Sequence, residues 1–396
     1  MRVVLLSEFF CQGMGYLENM LPKYLARLGV ETHVVATGLR PHGGQQPGSN
    51  SAQLGTFRPG SVEMLDGYTL HVVQHRKTLG YPRMKGLRDA LKQIGPDIVQ
   101  TMSVTGWVPL DAALYRAFLG YKLFTGCHYH ASVFPLARKA THPLSAERAM
   151  CTLTRGIPGR LLSRLAEKCY AISPDCADVA VRFFGVPAKC IEICPLGVDT
   201  EIFHPISSSV EQSTREHVRA QLGFRANDIV CIYSGRFSED KNPLLLAKAI
   251  DALARCGGGI RGLFIGNGIQ AHEIRECANC VVHPFVTVSE LGDFYRAAEI
   301  GVWPRQESMS MLDAAACGLP IVVNHTLAAP ERIDGNGMVY RLDDMNDLIR
   351  VLTSLMDTAR RRGMGKVGSS KMAGAFSWEA IAKRRLQDYE SALCSN

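Results

Sequence analysis

Several things missing from this 396-residue chain narrow what it can be. No stretch approaches the roughly 20 consecutive apolar residues of a membrane-spanning helix. The opening run Val3-Val4-Leu5-Leu6 stops at Ser7 and Glu8, too short for a secretory leader, so a cytoplasmic chain beginning in a buried strand is expected. Tryptophan occurs three times and aromatic residues make up 8%, and no aromatic-rich basic motif points to nucleic acid. Asp-x-Asp occurs nowhere, so one common carboxylate arrangement for a divalent ion is missing, and no metal is implied. Charged residues reach 20% and mean hydropathy is +0.01, which excludes a disordered or collagen-like chain. The length exceeds one hydrophobic core and suits two domains.

The thirteen cysteines are scattered, and most sit in apolar runs such as Ile229-Val230-Cys231-Ile232, where a thiol packs as a small hydrophobe. One Cys-x-x-Cys exists, Cys277-Ala-Asn-Cys280, with His283 close behind. Zinc would need a second ligand pair at comparable spacing, so structural thiols are expected.

Charge is uneven along the chain. Residues 1–200 hold 22 Lys and Arg against 14 Asp and Glu, whereas residues 201–396 hold 22 against 23. The excess concentrates in Arg76–Lys92 and Arg138–Lys168. A solvated basic face would account for it, and so would an anionic partner such as a membrane surface.

Short apolar runs alternate with helical patterns through the first half: Val3–Leu6, a helix around Leu17–Ala26, Thr32–Ala36, Ile98–Gln100, a helix near Leu110–Phe118, Leu123–Thr125 and Cys169–Ile172. This alternation predicts a parallel sheet with crossover helices. Pro41–Asn50 is a Gly/Pro/polar loop. After Pro205–Ser209, a linker by composition, the pattern restarts with strands at Ile229–Ser234, Leu263–Ile265, Val281–Val282, Ile300–Trp303 and Ile321–Val323. Two doubly wound α/β halves place ligands at the carboxyl ends of strands, in the cleft where the halves face each other.

Two segments carry candidate chemistry. In Gly235-Arg-Phe-Ser-Glu-Asp-Lys241, a strand ends in a glycine turn and two cations follow, an arrangement suited to a diphosphate, although a loop with both cations in solvent has the same text. In Trp303–Pro320, a loop carries Glu307 and a helix starts about Ser310 and stops at Gly318-Leu-Pro320. Amides of its first turn would form an anion site. Ser310-x-x-Asp313 reads as a capping box, and the same carboxylate could accept hydrogen bonds from ribose hydroxyls.

Together with other blocks, these segments resemble the retaining GT-B glycosyltransferases of family 4, over nearly the whole chain. The matching pieces are Asp97-Ile-Val99, Ala171-Ile-Ser173 with Gly185-Val-Pro187, the run Pro195–Pro205, Gly235-Arg236 with Lys241, Gly266-Asn-Gly268, the block Glu307–Pro320, Glu331 with Asn336-Gly337, and Phe376-Ser-Trp378. The resemblance implies a GT-B fold of two Rossmann-like domains facing across a cleft. Residues 1–204 would form an acceptor-side domain completed by a C-terminal helix at about 378–396, and 205–377 the nucleotide-sugar domain.

By the same resemblance, Arg236 and Lys241 hold the donor's diphosphate, with the amides of Ser308, Met309, Ser310 and Met311. Asp313 stands where the family has a glutamate on the ribose hydroxyls. Glu307 corresponds to the carboxylate that contacts the donor sugar, although the family has seven residues between the two acids and this chain has five; Arg305 is the competing occupant. Gly13 and Gly15 resemble the glycine loop that lets backbone approach the donor phosphate. His128 matches the histidine near the reacting sugar, with His130 two residues on; a strand-terminal histidine is also commonly a structural hydrogen-bonder.

The chemistry implied is metal-independent, with no cofactor beyond the nucleotide-diphosphate sugar itself. An acceptor hydroxyl attacks from the front face while the departing diphosphate takes its proton, and no protein nucleophile is involved. A glycan or lipid-linked acceptor is expected, in bacterial surface-polysaccharide assembly, with peripheral contact to an anionic membrane through the N-terminal domain. The rivals are a sugar-nucleotide epimerase, which would turn over donor without acceptor, a soluble-acceptor transferase, and a non-catalytic sugar-nucleotide-binding scaffold.

Overall fold

A computed structural model of the protein describes residues 1–39, 57–138, 145–255, 257, 259–327 and 330–395. The expected Pro41–Asn50 loop lies outside the described residues. The chain divides into two compact units, one running to Leu196 and resuming at Trp378, the other spanning Gly197–Ser377.

In the first unit the strands are β1 (Arg2–Ser7), β2 (Glu31–Thr37), β3 (Val62–Leu65), β4 (Tyr68–Val73), β5 (His75–Thr78), β6 (Tyr81–Met84), β7 (Ile98–Thr101), β8 (Lys122–Cys127), β9 (Ala166–Ala171) and β10 (Ile191–Ile193). Eight form one sheet in the order β10-β9-β8-β7-β1-β2-β4-β3, and β5 and β6 pair as a separate hairpin. Every pairing in that sheet is parallel except β3 with β4. Strands covered on both faces read as continuous apolar runs, which is why β1 and β7 stood out in the sequence. The β3–β4 ribbon was not anticipated, because its half-exposed strands, Val-Glu-Met-Leu and Tyr-Thr-Leu-His-Val-Val, mix polar with apolar residues.

Helices cover both faces of this sheet. Leu17–Arg27 and the C-terminal helix Trp378–Cys394 pack on one side through Leu21, Leu25, Trp378, Ile381 and Tyr389. On the other lie Leu87–Ile94, Trp107–Leu119, the chain from Ala146 to Leu162, and Pro174–Phe184. Arg385 of the C-terminal helix is fully buried with its guanidinium 3.2 Å from the centre of the Tyr170 ring, and Tyr389 donates to Gln100 Oε1 at 2.5 Å.

The second unit begins with the helix Ser209–Gln221, closed by a capping box between Ser208 and Glu211. Its strands are β11 (Ile229–Ser234), β12 (Ile260–Ile265), β13 (Cys280–His283), β14 (Ile300–Trp303), β15 (Ile321–Asn324) and β16 (Gly337–Tyr340), all parallel in the order β13-β12-β11-β14-β15-β16. Order reverses between β11 and β14, so the carboxyl ends of these two strands form the topological switch point of a doubly wound sheet. Among the described residues, Cys277 and Cys280 belong to no His/Cys/Asp/Glu group close enough to share an ion; their thiols lie against the carbonyls of Glu273 and Ala247 at 3.5 and 3.8 Å.

Candidate functional site

At the switch point the chain leaves β11 through Gly235 and β12 through Gly266 and Gly268, at φ of 147°, 140° and 156°. A Cβ on Gly266 would collide with the Gly235 carbonyl oxygen, and one on Gly268 with the Phe237 backbone. Gly266 and Gly268 thus let the two strand-end loops touch backbone to backbone, while a Cβ on Gly235 would meet the Tyr233 ring. The backbone contact fixes the loop from which Arg236 and Lys241 project.

Arg236 is exposed, with Asp240 at 3.8 Å. Lys241 is half-buried and its Nζ donates to the Glu307 carbonyl at 2.9 Å. Burial lowers the Lys241 ammonium from its ordinary range; Asp240 opposes this and the Arg236 cation adds to it. An ammonium destabilised in this way gains from an incoming anion. Both cations thus follow the end of β11 on one loop, Arg236 exposed and Lys241 half-buried.

Glu307 sits in the loop after β14, and its carboxylate meets Arg332 Nη1 at 2.8 Å with both side chains largely buried. Arg332 was missed in the sequence. Its only signal is its place beside Glu331, in the short turn Pro330–Arg332 that precedes β16. The competing occupant, Arg305, is turned elsewhere: it grips Asp343 through two bonds of 2.8 and 2.9 Å and donates to the Glu239 carbonyl at 2.7 Å.

The capping box expected of Ser310 and Asp313 does not form. The helix runs Ser310–Ala316 with Met309 at its cap position and no side-chain cap bond. Ser310 Oγ instead lies 2.6 Å from Ser308 Oγ and 3.3 Å from the Ser234 carbonyl, and accepts from the Trp303 indole at 3.1 Å. A buried indole N–H and a strand-end carbonyl need partners more than a helix end near solvent does, so they capture the hydroxyl. First-turn amides are also partly spent, because Met311 donates to Ser308 and both Leu312 and Asp313 donate to Met309. Burial, and then the charge of Asp199, pushes the Asp313 carboxyl well above the carboxylate range.

In the first unit, the loop after β1 holds Gly13, at φ 77°, and half-buried Gly15. The buried Asn19 amide donates to the Cys11 carbonyl at 3.1 Å and ties this loop to the helix behind it. His128 follows β8 and lines a pocket of about 270 Å³ at the carboxyl ends of β1, β7 and β8, with Glu8, Glu18, Tyr16, Ser103 and Tyr129. Burial, the Arg385 charge and His130 lower the His128 ring to about 4, so it is neutral near pH 7. Burial raises the Glu8 and Glu18 carboxyls to about 7.

His130 has a different role. Its Nδ1 lies 3.2 Å from Asp175, whose carboxylate also accepts from the Ala131 amide and the Ser173 hydroxyl. Burial would lower this ring, but Asp175 and Cys176 together outweigh it and carry the imidazole up to about 10. His130, Asp175 and Cys176 are the one His/Cys/Asp/Glu group close enough to share an ion among the described residues. With Asp175 already committed to three donors, the group reads as a structural ion pair. Of the two histidines, then, His128 is the one that lines the pocket.

Residues 17–202 match the family described as Glycosyltransferase Family 4, and residues 228–358 match Glycosyl transferases group 1. A D-inositol 3-phosphate glycosyltransferase of Paenarthrobacter aurescens is 28% identical over 245 residues, covering 58% of each chain. The match thus spans little more than half the length of that relative. The MMP alpha-(1->4)-mannosyltransferase of Mycolicibacterium hassiacum is 24% identical, with 99% of this chain and 98% of that one aligned. Among solved structures, Anabaena HepE in complex with UDP superposes with a TM-score of 0.69 at 15% identity, covering 99% of this chain and 100% of that one. At that identity the likeness establishes the fold alone, two Rossmann-like units of the GT-B type.

Proposed function

Because the chain belongs to the GT-B glycosyltransferases of group 1 and family 4, and is a transferase enzyme, we propose that it moves a sugar from a nucleotide-diphosphate donor to a glycan or lipid-linked acceptor, with retention of configuration. The observation that carries the donor assignment is the pairing of Arg236 with Lys241 at the switch point of the second sheet. Arg236 offers a planar fork to phosphate oxygens, and Lys241, held by the Glu307 carbonyl, offers a point charge already poised by burial. Both cations would stabilise the charge that develops on the leaving diphosphate, so the step is metal-independent and its proton leaves on that phosphate. UDP in the HepE complex supports the donor class.

Glu307, fixed by Arg332, would contact the donor sugar, and Asp313 the ribose. The Asp313 carboxyl, pushed upward by burial, can accept hydrogen bonds from a hydroxyl pair. On the acceptor side, neutral His128 offers the sugar a hydrogen bond without a competing charge. Glu8 and Glu18 give its pocket a polar wall suited to glycan hydroxyls. The acceptor class expected of surface-polysaccharide assembly fits that wall and the basic excess of the first unit.

Thermal stabilisation by UDP-, GDP- and ADP-sugars, on wild type and Lys241→Ala, tests the reading. A ligand that binds only the folded state raises the melting temperature with its affinity. A rise with one nucleotide class, lost in Lys241→Ala, is expected and names the base. Equal rises in both proteins, or none in either, would remove the diphosphate assignment.

A further inference from the structure

The helices on one face of the first sheet carry, on their outer side, an exposed row of apolar side chains. From Ala146 to Leu162 the chain is one continuous helix with a π-helical turn, Thr152–Gly156, at its middle. Its inner side is seated by glycine. A Cβ on Gly159 would strike the Phe184 carbonyl, and one on Gly185 that of Gly156. Cys151 and Leu162 fill the core beneath.

Facing outward, Met150, Leu153, Ile157, Leu161 and Leu165 recur at intervals of three or four residues, each between 43% and 61% exposed. From Met150 to Leu161 that spacing follows one face of the helix, and Leu165 lies in the turn just past its end. The adjacent helix Trp107–Leu119 adds Leu114 and Phe118, at 56% and 71% exposure. An apolar row of this extent on one layer marks an interaction surface.

Charge selects the partner. Arg160 and Arg164 are exposed beside Leu161 and Leu165, and the next helix, Leu87–Ile94, presents Arg88 and Lys92. Among the described residues of these three helices, only Asp89 and Glu147 are exposed acids. A second copy docking by a two-fold axis would set this cationic face against itself. Of the basic segment expected to meet the anionic partner, Arg83 is withdrawn: it binds Asp111 through two bonds of 2.7 Å.

We propose that this layer docks on the surface of an anionic phospholipid bilayer. The Met150–Leu165 row enters the boundary between headgroups and acyl chains, and Arg160, Arg164, Arg88 and Lys92 bind lipid phosphates. The proposal extends the lipid-linked acceptor reading, yet its test uses neither donor nor acceptor, so the two can fail separately.

Co-sedimentation is measured with vesicles of phosphatidylglycerol and phosphatidylcholine and with vesicles of phosphatidylcholine alone. Wild type should partition onto the anionic vesicles. Leu153→Gln/Ile157→Gln/Leu161→Gln should lower that partition about tenfold or more, and Arg160→Gln/Arg164→Gln should weaken it and flatten its salt dependence. An unchanged melting temperature establishes that each variant folds. Equal sedimentation of wild type and the triple variant overturns the proposal. So does a wild-type dimer in light scattering that the triple variant abolishes without any vesicle binding, which would assign the face to a second copy.

Discussion

The Arg332 guanidinium meets the Glu307 carboxylate at 2.8 Å, with the two side chains 5% and 15% exposed. Glu307 is thereby held twice, its carboxylate by Arg332 and its carbonyl by Lys241. The loop after β14 is thus anchored from two directions, through the side chain and the backbone of the same residue.

Removing one member of a nearly buried ion pair leaves the other charge in a poor solvent, which costs more than the pair's attraction suggests. Arg332→Leu is expected to destabilise the second unit by roughly 3 kcal/mol and to reduce transfer. Adding Glu307→Gln should restore part of the lost melting temperature, because the stranded carboxylate is gone, while transfer stays low. Calorimetry and turnover on the three proteins check this; full recovery of turnover in the double variant would reduce the pair to scaffolding.

The contact between the strand-end loops makes a second, sharper prediction. Gly266 lies at φ 140° and faces the Gly235 carbonyl, so Gly266→Ala meets both a strained backbone and a clash that no side chain can relieve. A loss of about 3 kcal/mol or more is expected, together with loss of donor-induced stabilisation as the Arg236–Lys241 loop is pushed away. Gly259→Ala is the control, since a Cβ there meets nothing within 4 Å. Similar melting temperatures for the two variants would show that the loops do not need their close approach.

The legibility of this chain followed burial. β11 and β14 were read to their end residues because a strand covered on both faces is a bounded run of apolar side chains. The edge strand β3 and its neighbour β4 escaped, since half-exposed strands mix polar with apolar residues, and the edge strand β16 escaped as a four-residue run opened by a glycine. Within the site, Arg236 and Lys241 were legible because sequence neighbours hold them to one strand end. Arg332 was not, because its partner lies 25 residues away and only the fold brings them together. Ser310 was misread for the same reason: a capping box is a local pattern, whereas the hydroxyl went to Trp303 and Ser234, which lie on other strands.

The two histidines after β8 make opposite predictions for pH. His128 is lowered to about 4 by burial, Arg385 and His130, so the unfolded chain takes up its proton below about 6.5 while the folded protein resists until about 4. Stability from this ring is complete above pH 6.5 and falls away between 6.5 and 4, by about 3 kcal/mol in all. His130, raised to about 10 by Asp175 and Cys176 against its own burial, contributes fully below pH 6.5 and loses that contribution as pH rises toward 10. Melting temperature should therefore fall on both sides of neutrality. His128→Gln should flatten the acid side and leave the alkaline side alone, whereas Asp175→Asn should flatten the alkaline side and steepen the acid side, because burial then lowers the His130 ring with no carboxylate to oppose it. A His128→Gln protein that follows wild type down to pH 4 would mean that the ring is hydrated and free to charge, and the neutral hydrogen-bonding role assigned to it in the acceptor pocket would fall with that result.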